Sequence, residues 1–196
     1  MLLHEKLADK HLILASASPR RRQLMADAGL EFTLAPKFEC DESYPDTLPA
    51  AEVASYLSSL KSEAYPEPLS EGEILVTADT TVVVDERVLG KPADREEACE
   101  MLRAMSGRSH TVYTGVTLRS CEKKHTFAVA TLVYFREMSD DEIAYYVDNY
   151  RPYDKAGAYG IQEWIGYVAI ERIEGSFYNV MGLPVQRLYT ELISFL

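Results

Sequence analysis

Residues 12–22 read LILASASPRRR, an apolar run that stops at two serines and continues into a proline and three arginines. This pattern predicts a buried strand that feeds a helix. Ser18 suits the N-cap, and Pro19 suits the first helical position, where its missing N–H costs nothing. Gly29 is expected to end the helix. The free amides and guanidinium groups at the helix start predict an anion site, the alternative being a solvated first turn of a surface helix.

The composition bounds the class of protein. The chain has 196 residues, of which 47% are hydrophobic, enough for one sizeable domain, and we expect a single domain over residues 1–196. No stretch has the apolar length of a membrane span, and the N-terminus is too short and mixed for a secretory signal. We therefore expect a cytoplasmic protein with no membrane partner. The three cysteines lack Cys-x-x-Cys spacing, which argues against a disulfide framework or a zinc site.

The charge balance argues against nucleic acid as a partner. Against 31 Asp and Glu stand 20 Lys and Arg, and the net charge is −11. The mean field of such a chain repels polyanions. A small anion can still bind to a local cluster of positive groups, especially if a divalent metal adds further charge.

Residues 74–84 read ILVTADTTVVV, a β-branched run that carries one carboxylate near its middle. The run predicts a buried strand, in which an unpaired carboxylate is costly. Asp79 should therefore meet a cation or ordered donors, or mark a bulge that opens on a cleft. Its functional interpretation is a metal ligand or a general base. The alternative is a carboxylate satisfied by backbone amides at a break between two strands.

Further candidate residues lie on loops and on one helix. The acidic loop 39–43 is either a metal or acid–base element or a solvated turn. Apolar spacing predicts a helix within residues 49–65, with Lys61 at the border of its apolar stripe, where the ammonium faces a cleft or solvent. Lys91 sits in a tight bend between a glycine and a proline. Gln162 ends an irregular, functional-looking segment; its amide can read a nucleobase edge or pair with the backbone.

The remaining chain predicts a hairpin and a C-terminal region of mixed structure. Residues 110–118 and 125–135 are strand-like runs joined by a polar turn, which predicts an antiparallel hairpin. We expect His110 at a turn or a strand edge. Residues 167–173 are predicted as a strand and residues 175–179 as a turn.

Separated blocks of the sequence together resemble one protein family. Residues 16–21 (SASPRR), 78–80 (ADT), 90–92 (GKP) and 154–162 (DKAGAYGIQ) look like the Maf family of nucleoside triphosphate pyrophosphatases. The match runs from about residue 12 to the C-terminus. It implies an α/β fold with an elongated mixed β-sheet flanked by helices, and two lobes with a central cleft, similar to the inosine triphosphate pyrophosphatases.

The resemblance implies hydrolysis of a nucleoside triphosphate to the monophosphate and pyrophosphate with a divalent metal, Mg²⁺ or Mn²⁺. By position, Asp79 is the family's essential acidic residue, usually described as the proton acceptor. Glu42 matches the loop glutamate that helps to hold the metal, with Asp79. The polar and basic residues that the family places around the triphosphate correspond to Ser16, Arg20, Arg21, Lys61 and Lys91.

The resemblance also indicates a branch of the family. Thr80, with Arg20 and Gln162, resembles the branch that acts on dTTP and UTP, whereas the branch that acts on 7-methyl-GTP differs at this threonine. Modified pyrimidine nucleotides are an alternative substrate class. A non-catalytic nucleotide-binding regulator of cell division, suggested by the family's association with septum formation, is the alternative function. Family members often form homodimers, although no coiled-coil seam in this sequence establishes one.

Overall fold

A computed structural model describes residues 2–196, and its elements follow the predicted order in most of the chain. The helices are α1 (Leu3–Lys6), α2 (Pro19–Asp27), α3 (Ala50–Ala64), α4 (Arg95–Met105), α5 (Asp140–Tyr150), α6 (Trp164–Ala169), α7 (Phe177–Met181) and α8 (Val185–Phe195), with a 3-10 turn at Ala156–Ala158. The strands are β1 (His11–Leu14), β2 (Phe32–Leu34), β3 (Glu73–Val84), β4 (Arg87–Leu89), β5 (Ser109–Arg119), β6 (Lys124–Phe135) and β7 (Ile170–Glu174).

The seven strands form one mixed sheet in the order β2-β1-β3-β5-β6-β7, with β4 also paired to β3. Strand β1 runs parallel to β2 and β3, whereas the other pairs are antiparallel. The predicted hairpin is confirmed as β5 and β6. The prediction of a mixed β-sheet flanked by helices is also confirmed.

Strand β3 crosses two hydrophobic cores. Ile74 and Val76 belong to a core with side chains of α2 and α8, whereas Val82 and Val84 belong to a second core with side chains of α4 and α5. Because alternate side chains of a strand share one face, both cores lie on the same side of β3, with Thr80 between them. The two lobes expected from the sequence meet at this residue.

The edge of β3 that faces away from β5 is open in its middle. Strand β1 pairs with residues 73–76 of β3, and β4 pairs with residues 82–84. The other edge of β3 is paired continuously with β5 over residues 75–83. Residues 77–81 therefore have no strand neighbour on the first edge, and a cleft opens there.

Helix α3 lies unusually close to the opposite face of the sheet. A Cβ added to Gly115 of β5 would lie 2.3 Å from the carbonyl oxygen of Ala54, so glycine is required for this approach. The Thr77 hydroxyl donates a 2.6 Å hydrogen bond to the carbonyl of Ser58. One turn further along α3 is Lys61, which this docking directs toward the middle of β3.

Two predictions for the C-terminal region are wrong. Residues 164–169 form α6, and the strand predicted over residues 167–173 begins only at Ile170. The chain doubles back there, since a Cβ added to Gly166 would lie 1.7 Å from the carbonyl oxygen of Ile161. The turn predicted over residues 175–179 includes the first residues of α7, because the Ser176 hydroxyl caps this helix.

His110 is the second residue of β5, near the end of the strand as predicted, but it is buried and only 2% exposed. Its Nε2 forms a 2.7 Å hydrogen bond with the hydroxyl of Tyr159, and its ring packs edge-on against Phe135 and Tyr159. One satisfied nitrogen and two aromatic neighbours allow a neutral histidine in the core. Burial lowers the pKa of His110 to about 3.

Across residues 2–196, none of the helices is long and apolar enough to cross a membrane.

Candidate active site

A cleft of about 1160 Å³ opens at the unpaired edge of β3. Its walls come from the end of β1, the start of α2, the acidic loop, α3 and the segment of residues 154–162. All nine predicted site residues line this cleft: Ser16, Arg20, Arg21, Glu42, Lys61, Asp79, Thr80, Lys91 and Gln162. The fold thus gathers residues that are far apart in the chain, while their roles stay predictions.

Lys61 joins the two carboxylates that the sequence singled out. Its Nζ lies 2.6 Å from Oδ1 of Asp79 and 3.0 Å from Oε2 of Glu42. The Asp79 side chain is 12% exposed and that of Glu42 is 52% exposed, so the pair spans the cleft from its floor to its rim. Strand pairing with β5 continues through Asp79, so the alternatives of a bulge or a strand break are wrong. Asp79 meets a cation instead.

The start of α2 is built as predicted. Ser18 is the N-cap, and its hydroxyl accepts a 3.4 Å hydrogen bond from the amide of Arg21, while Pro19 is the first helical residue. The Ser16 hydroxyl accepts a 3.3 Å hydrogen bond from the amide of Ser18. Arg22 is exposed. The positive end of the helix thus faces the cleft, as an anion site requires.

Arg21 is held by three hydrogen bonds to the protein. Its Nε donates to the carbonyl of Gly182 at 2.7 Å, one terminal nitrogen to the Ser16 hydroxyl at 3.2 Å and the other to the Thr80 hydroxyl at 3.1 Å. A guanidinium has five N–H groups, so two are left for a ligand. Burial lowers the pKa of Arg21, partly offset by the charge of Asp79, yet an arginine at this depth keeps its proton.

Lys155 is a site residue that the sequence reasoning missed. It is 8% exposed, and its ammonium lies 2.8 Å from Asp154 and 3.1 Å from Glu163. Asp154 also accepts a 3.3 Å hydrogen bond from Arg20. Burial acts to raise the pKa of Asp154, but its hydrogen bonds and charge pairing with Lys155 and Arg20 outweigh burial and lower it. The charged Asp154-Lys155 pair within a glycine-containing block was the signal that could have indicated this residue.

Tyr146 of α5 was also missed, because its spacing marks it only as a core residue. Its hydroxyl donates to Glu163 and accepts a 3.0 Å hydrogen bond from the amide of Gly160. Burial, and then the bond to Glu163, raise the pKa of Tyr146 well above its ordinary value. Tyr146 therefore fixes the segment that carries Lys155 and Gln162 against helix α5.

Gln162 and Lys91 are the least constrained of the predicted residues. Within residues 2–196, Oε1 of Gln162 is buried without a hydrogen-bond partner, which is costly unless a ligand or water completes it. Lys91 is exposed at the rim, on a turn that is tied down by a 3.0 Å hydrogen bond from the amide of Gly157 to the carbonyl of Gly90. Within the described residues 2–196, Gln162 forms no hydrogen bond with the backbone.

The carboxylates of Glu42 and Asp79 are suited to a hard divalent cation that binds together with a phosphate. No group of three or more His, Cys, Asp or Glu side chains suited to a metal occurs in the part of the chain that the structure describes. Glu42 and Asp79 nevertheless converge on one point, the ammonium of Lys61. Magnesium commonly uses one or two carboxylates and completes its shell with phosphate oxygens and water. These two side chains fit that pattern.

The fold and the cleft define a mixed α/β protein with a cleft lined by arginine, lysine and carboxylate side chains. Residues 11–195 match the family model described as Maf-like protein, and the chain belongs to the Maf family. The family prediction from sequence is thus confirmed.

Two curated relatives span nearly the whole chain. A dTTP/UTP pyrophosphatase of Bacteroides thetaiotaomicron is 53% identical over 94% of this chain and 96% of its own length. A dTTP/UTP pyrophosphatase of Parabacteroides distasonis is 50% identical over 97% of this chain and 99% of its own. Among solved structures, a nucleoside-triphosphatase described as a dITP/XTP pyrophosphatase from Mycobacterium abscessus is 14% identical and has a TM-score of 0.44, with 95% and 98% of the two chains covered.

Proposed function

We propose that this protein hydrolyses dTTP and UTP to the nucleoside monophosphate and pyrophosphate. The observation that carries the proposal is Asp79, a carboxylate in the middle of an apolar strand, held 2.6 Å from Lys61 at the floor of the cleft. A buried carboxylate of this kind is retained where chemistry requires it. The names and near-complete coverage of the two curated relatives support the same reaction and substrates.

In the proposed reaction, water attacks the α-phosphorus and pyrophosphate leaves. Asp79 accepts the proton of the attacking water, and Lys61 holds the carboxylate of Asp79 in place. Mg²⁺ or Mn²⁺, held by Glu42 and Asp79 with phosphate oxygens, would supply positive charge at the triphosphate. Catalysis of such a step rests mainly on positioning and on neutralisation of charge.

The triphosphate is proposed to bind at the start of α2. Ser16, Arg20 and Arg21 line the cleft there, and the two remaining N–H groups of Arg21 can donate to phosphate oxygens. Arg20 has only a 3.3 Å, partly exposed pair with Asp154, and such pairs contribute little, so Arg20 is free to turn to a phosphate. Lys91 closes the site from the rim as a further cation.

The pyrimidine is proposed to lie between Thr80 and Gln162, both of which line the cleft. The unpartnered oxygen of Gln162 supports a ligand contact there. Pyrimidine nucleotides with a modified ring belong to the same proposed substrate class. We take residues 1–196 as one domain, of which Met1 lies outside the described residues. We propose that the protein acts in the cytoplasm as a homodimer and does not bind nucleic acid.

The proposal is tested with the purified protein, Mg²⁺ or Mn²⁺, and dTTP, UTP, CTP, GTP, ATP and 7-methyl-GTP in turn. Anion-exchange chromatography should find monophosphate and pyrophosphate, fastest from dTTP and UTP. Asp79→Asn should lose activity by about a hundredfold or more while it keeps its fold. Asp148→Asn, which breaks an exposed pair with Arg95, is the matched control and should keep full activity.

Two results would overturn the proposal. Release of single phosphates would mean another bond is cleaved. Nucleotide binding without cleavage in either metal would favour the alternative of a non-catalytic regulator of cell division.

A further inference from the structure

A chain of hydroxyl groups runs from the cleft into the core. The Thr80 hydroxyl on β3 lies 2.9 Å from the Thr114 hydroxyl on β5, and Thr114 donates a 3.0 Å hydrogen bond to the carbonyl of Asn179. Thr80 lines the cleft, whereas Thr114 is 0% exposed and cannot touch a ligand. Thr114 can therefore affect a ligand in the cleft only through Thr80.

The direction of the protons in this chain follows from the partners. A carbonyl oxygen only accepts, so the single proton of Thr114 is used on Asn179. The contact between the two hydroxyls then needs Thr80 as the donor. The carbonyl of Gly182 is 3.4 Å away and already accepts a 2.7 Å hydrogen bond from Arg21, so it is a weaker acceptor for this proton than Thr114.

The other side of Thr80 is fixed as well. A terminal nitrogen of Arg21 donates to the Thr80 hydroxyl at 3.1 Å, which occupies one of its two lone pairs. One lone pair is left for a ligand, since Thr80 lines the cleft. Thr80 can therefore accept a hydrogen bond from a ligand but has no proton to donate.

The carbonyl that orders the chain is itself held rigidly. The side-chain amide nitrogen of Asn179 shares its two protons among the carbonyls of Val112 and Val129, at 3.1 Å each, and the Thr131 hydroxyl at 3.0 Å. Gly182, three residues on, has a φ of +120° and places its own carbonyl against Arg21. The polarity of the chain is thus built into β5, β6 and α7.

We propose that Thr114 is a positioning residue for base selection, which keeps Thr80 as a hydrogen-bond acceptor that recognises the ring imide N–H shared by thymine and uracil. This inference rests on the proposed function. Phosphate oxygens are acceptors and gain nothing from Thr80, so its ligand contact is on the base. Cytosine carries a lone pair at the same ring nitrogen, and two lone pairs facing each other disfavour binding.

The test is the selectivity for UTP over CTP, measured as the ratio of the two kcat/KM values. Thr114→Val removes the hydroxyl at nearly constant volume and frees the proton of Thr80. The ratio should fall about fivefold or more, with cleavage of CTP rising and KM for UTP increasing more than kcat changes. Thr114→Ser keeps the hydroxyl and should restore the ratio.

The matched control is Thr117→Val. Thr117 is also 0% exposed on β5, and its hydroxyl bonds to Ser58 and Thr126 away from Thr80. This variant should lose stability without any change in the ratio. Thr114→Ala gives a second route to the same measurement if the valine variant does not fold.

An equal loss of both activities in Thr114→Val, or an unchanged ratio, would overturn the inference and leave Thr114 a structural residue. A wild-type protein that releases no pyrophosphate from UTP would instead overturn the proposed function, so the two failures are distinguishable.

Discussion

The Lys61 ammonium occupies the point at which the carboxylates of Asp79 and Glu42 meet, 2.6 and 3.0 Å from their oxygens. The single positive charge of Lys61 offsets only one of these two negative charges while no cation is bound. It also competes with a metal ion for the same oxygens. The positive charge of the site is therefore shared between Lys61, which is always present, and the proposed metal ion, which arrives with the substrate.

Replacing Lys61 with methionine should strengthen metal binding while it weakens catalysis. Without the ammonium, Asp79 and Glu42 are free to bind a cation, so Mn²⁺ should bind several-fold more tightly in the absence of nucleotide. Titration calorimetry measures this affinity. Pyrophosphate release should fall about tenfold or more, because Asp79 loses the group that holds it.

Lys124→Met is the control, since Lys124 also pairs with a carboxylate, that of Glu63, outside the cleft. It should change neither quantity. Weaker Mn²⁺ binding in Lys61→Met would show that the ammonium does not compete with the metal.

Removing the hydroxyl of Tyr146 should loosen the segment that carries Lys155 and Gln162. In Tyr146→Phe, Glu163 loses a donor and the buried amide of Gly160 loses its acceptor, which should lower the free energy of unfolding by about 1–3 kcal/mol. KM for UTP should rise more than kcat falls.

Urea unfolding and steady-state kinetics measure the two effects of Tyr146→Phe. Tyr145→Phe changes the neighbouring residue of α5, whose side chain is 50% exposed, and should affect neither. Equal behaviour of the two variants would mean that Tyr146 does not support the segment.

The buried His110 should make the protein less stable in acid. The pKa of His110 is lowered from its ordinary 6.5 to about 3, so between these values the unfolded chain binds a proton that the folded protein does not. Stability is unaffected above pH 6.5 and falls as the pH drops toward 3, by up to about 1.4 kcal/mol per pH unit.

Urea unfolding at pH 7 and pH 5 tests the role of His110. His110→Phe keeps an aromatic ring and should reduce the difference in the free energy of unfolding between pH 7 and pH 5. His4→Gln, at an exposed position, should leave the difference unchanged. A wild-type slope retained in His110→Phe would assign the acid sensitivity to other groups.

A methyl group at Gly115 should push α3 away from the sheet. Its Cβ would lie 2.3 Å from the carbonyl of Ala54, and Gly115 pairs with Asp79 across the strands. Gly115→Ala should therefore destabilise the protein by about 1–3 kcal/mol and also lower kcat, because Lys61 moves with α3.

Thermal unfolding and kinetics are the measurements for Gly115→Ala. Gly90→Ala, which has no atom within 4 Å of the added carbon, is the control for stability. Unchanged stability in Gly115→Ala would mean that α3 can shift without loss.

Local patterns in the sequence were sufficient to predict much of this molecule. The strand that contains Asp79, the cap at Ser18, and the hairpin of β5 and β6 depend on neighbouring residues, so alternation and capping signals identify them. Local patterns also singled out Asp79, Lys61, Lys91 and Gln162 as candidates, and the family resemblance added Ser16 and Thr80 and assigned the expected roles. The same local reasoning misassigned residues 167–169, because a close backbone approach at Gly166 overrides the propensity of that segment.

The tertiary structure alone decided where the cleft opens and what lies around Asp79. The gap between β1 and β4 on one edge of β3, and the depth of Lys155 and His110, depend on which distant elements pack together. A charged or polar side chain has the same sequence signature at a surface and in a core, because its cost of burial is set by partners that folding brings to it.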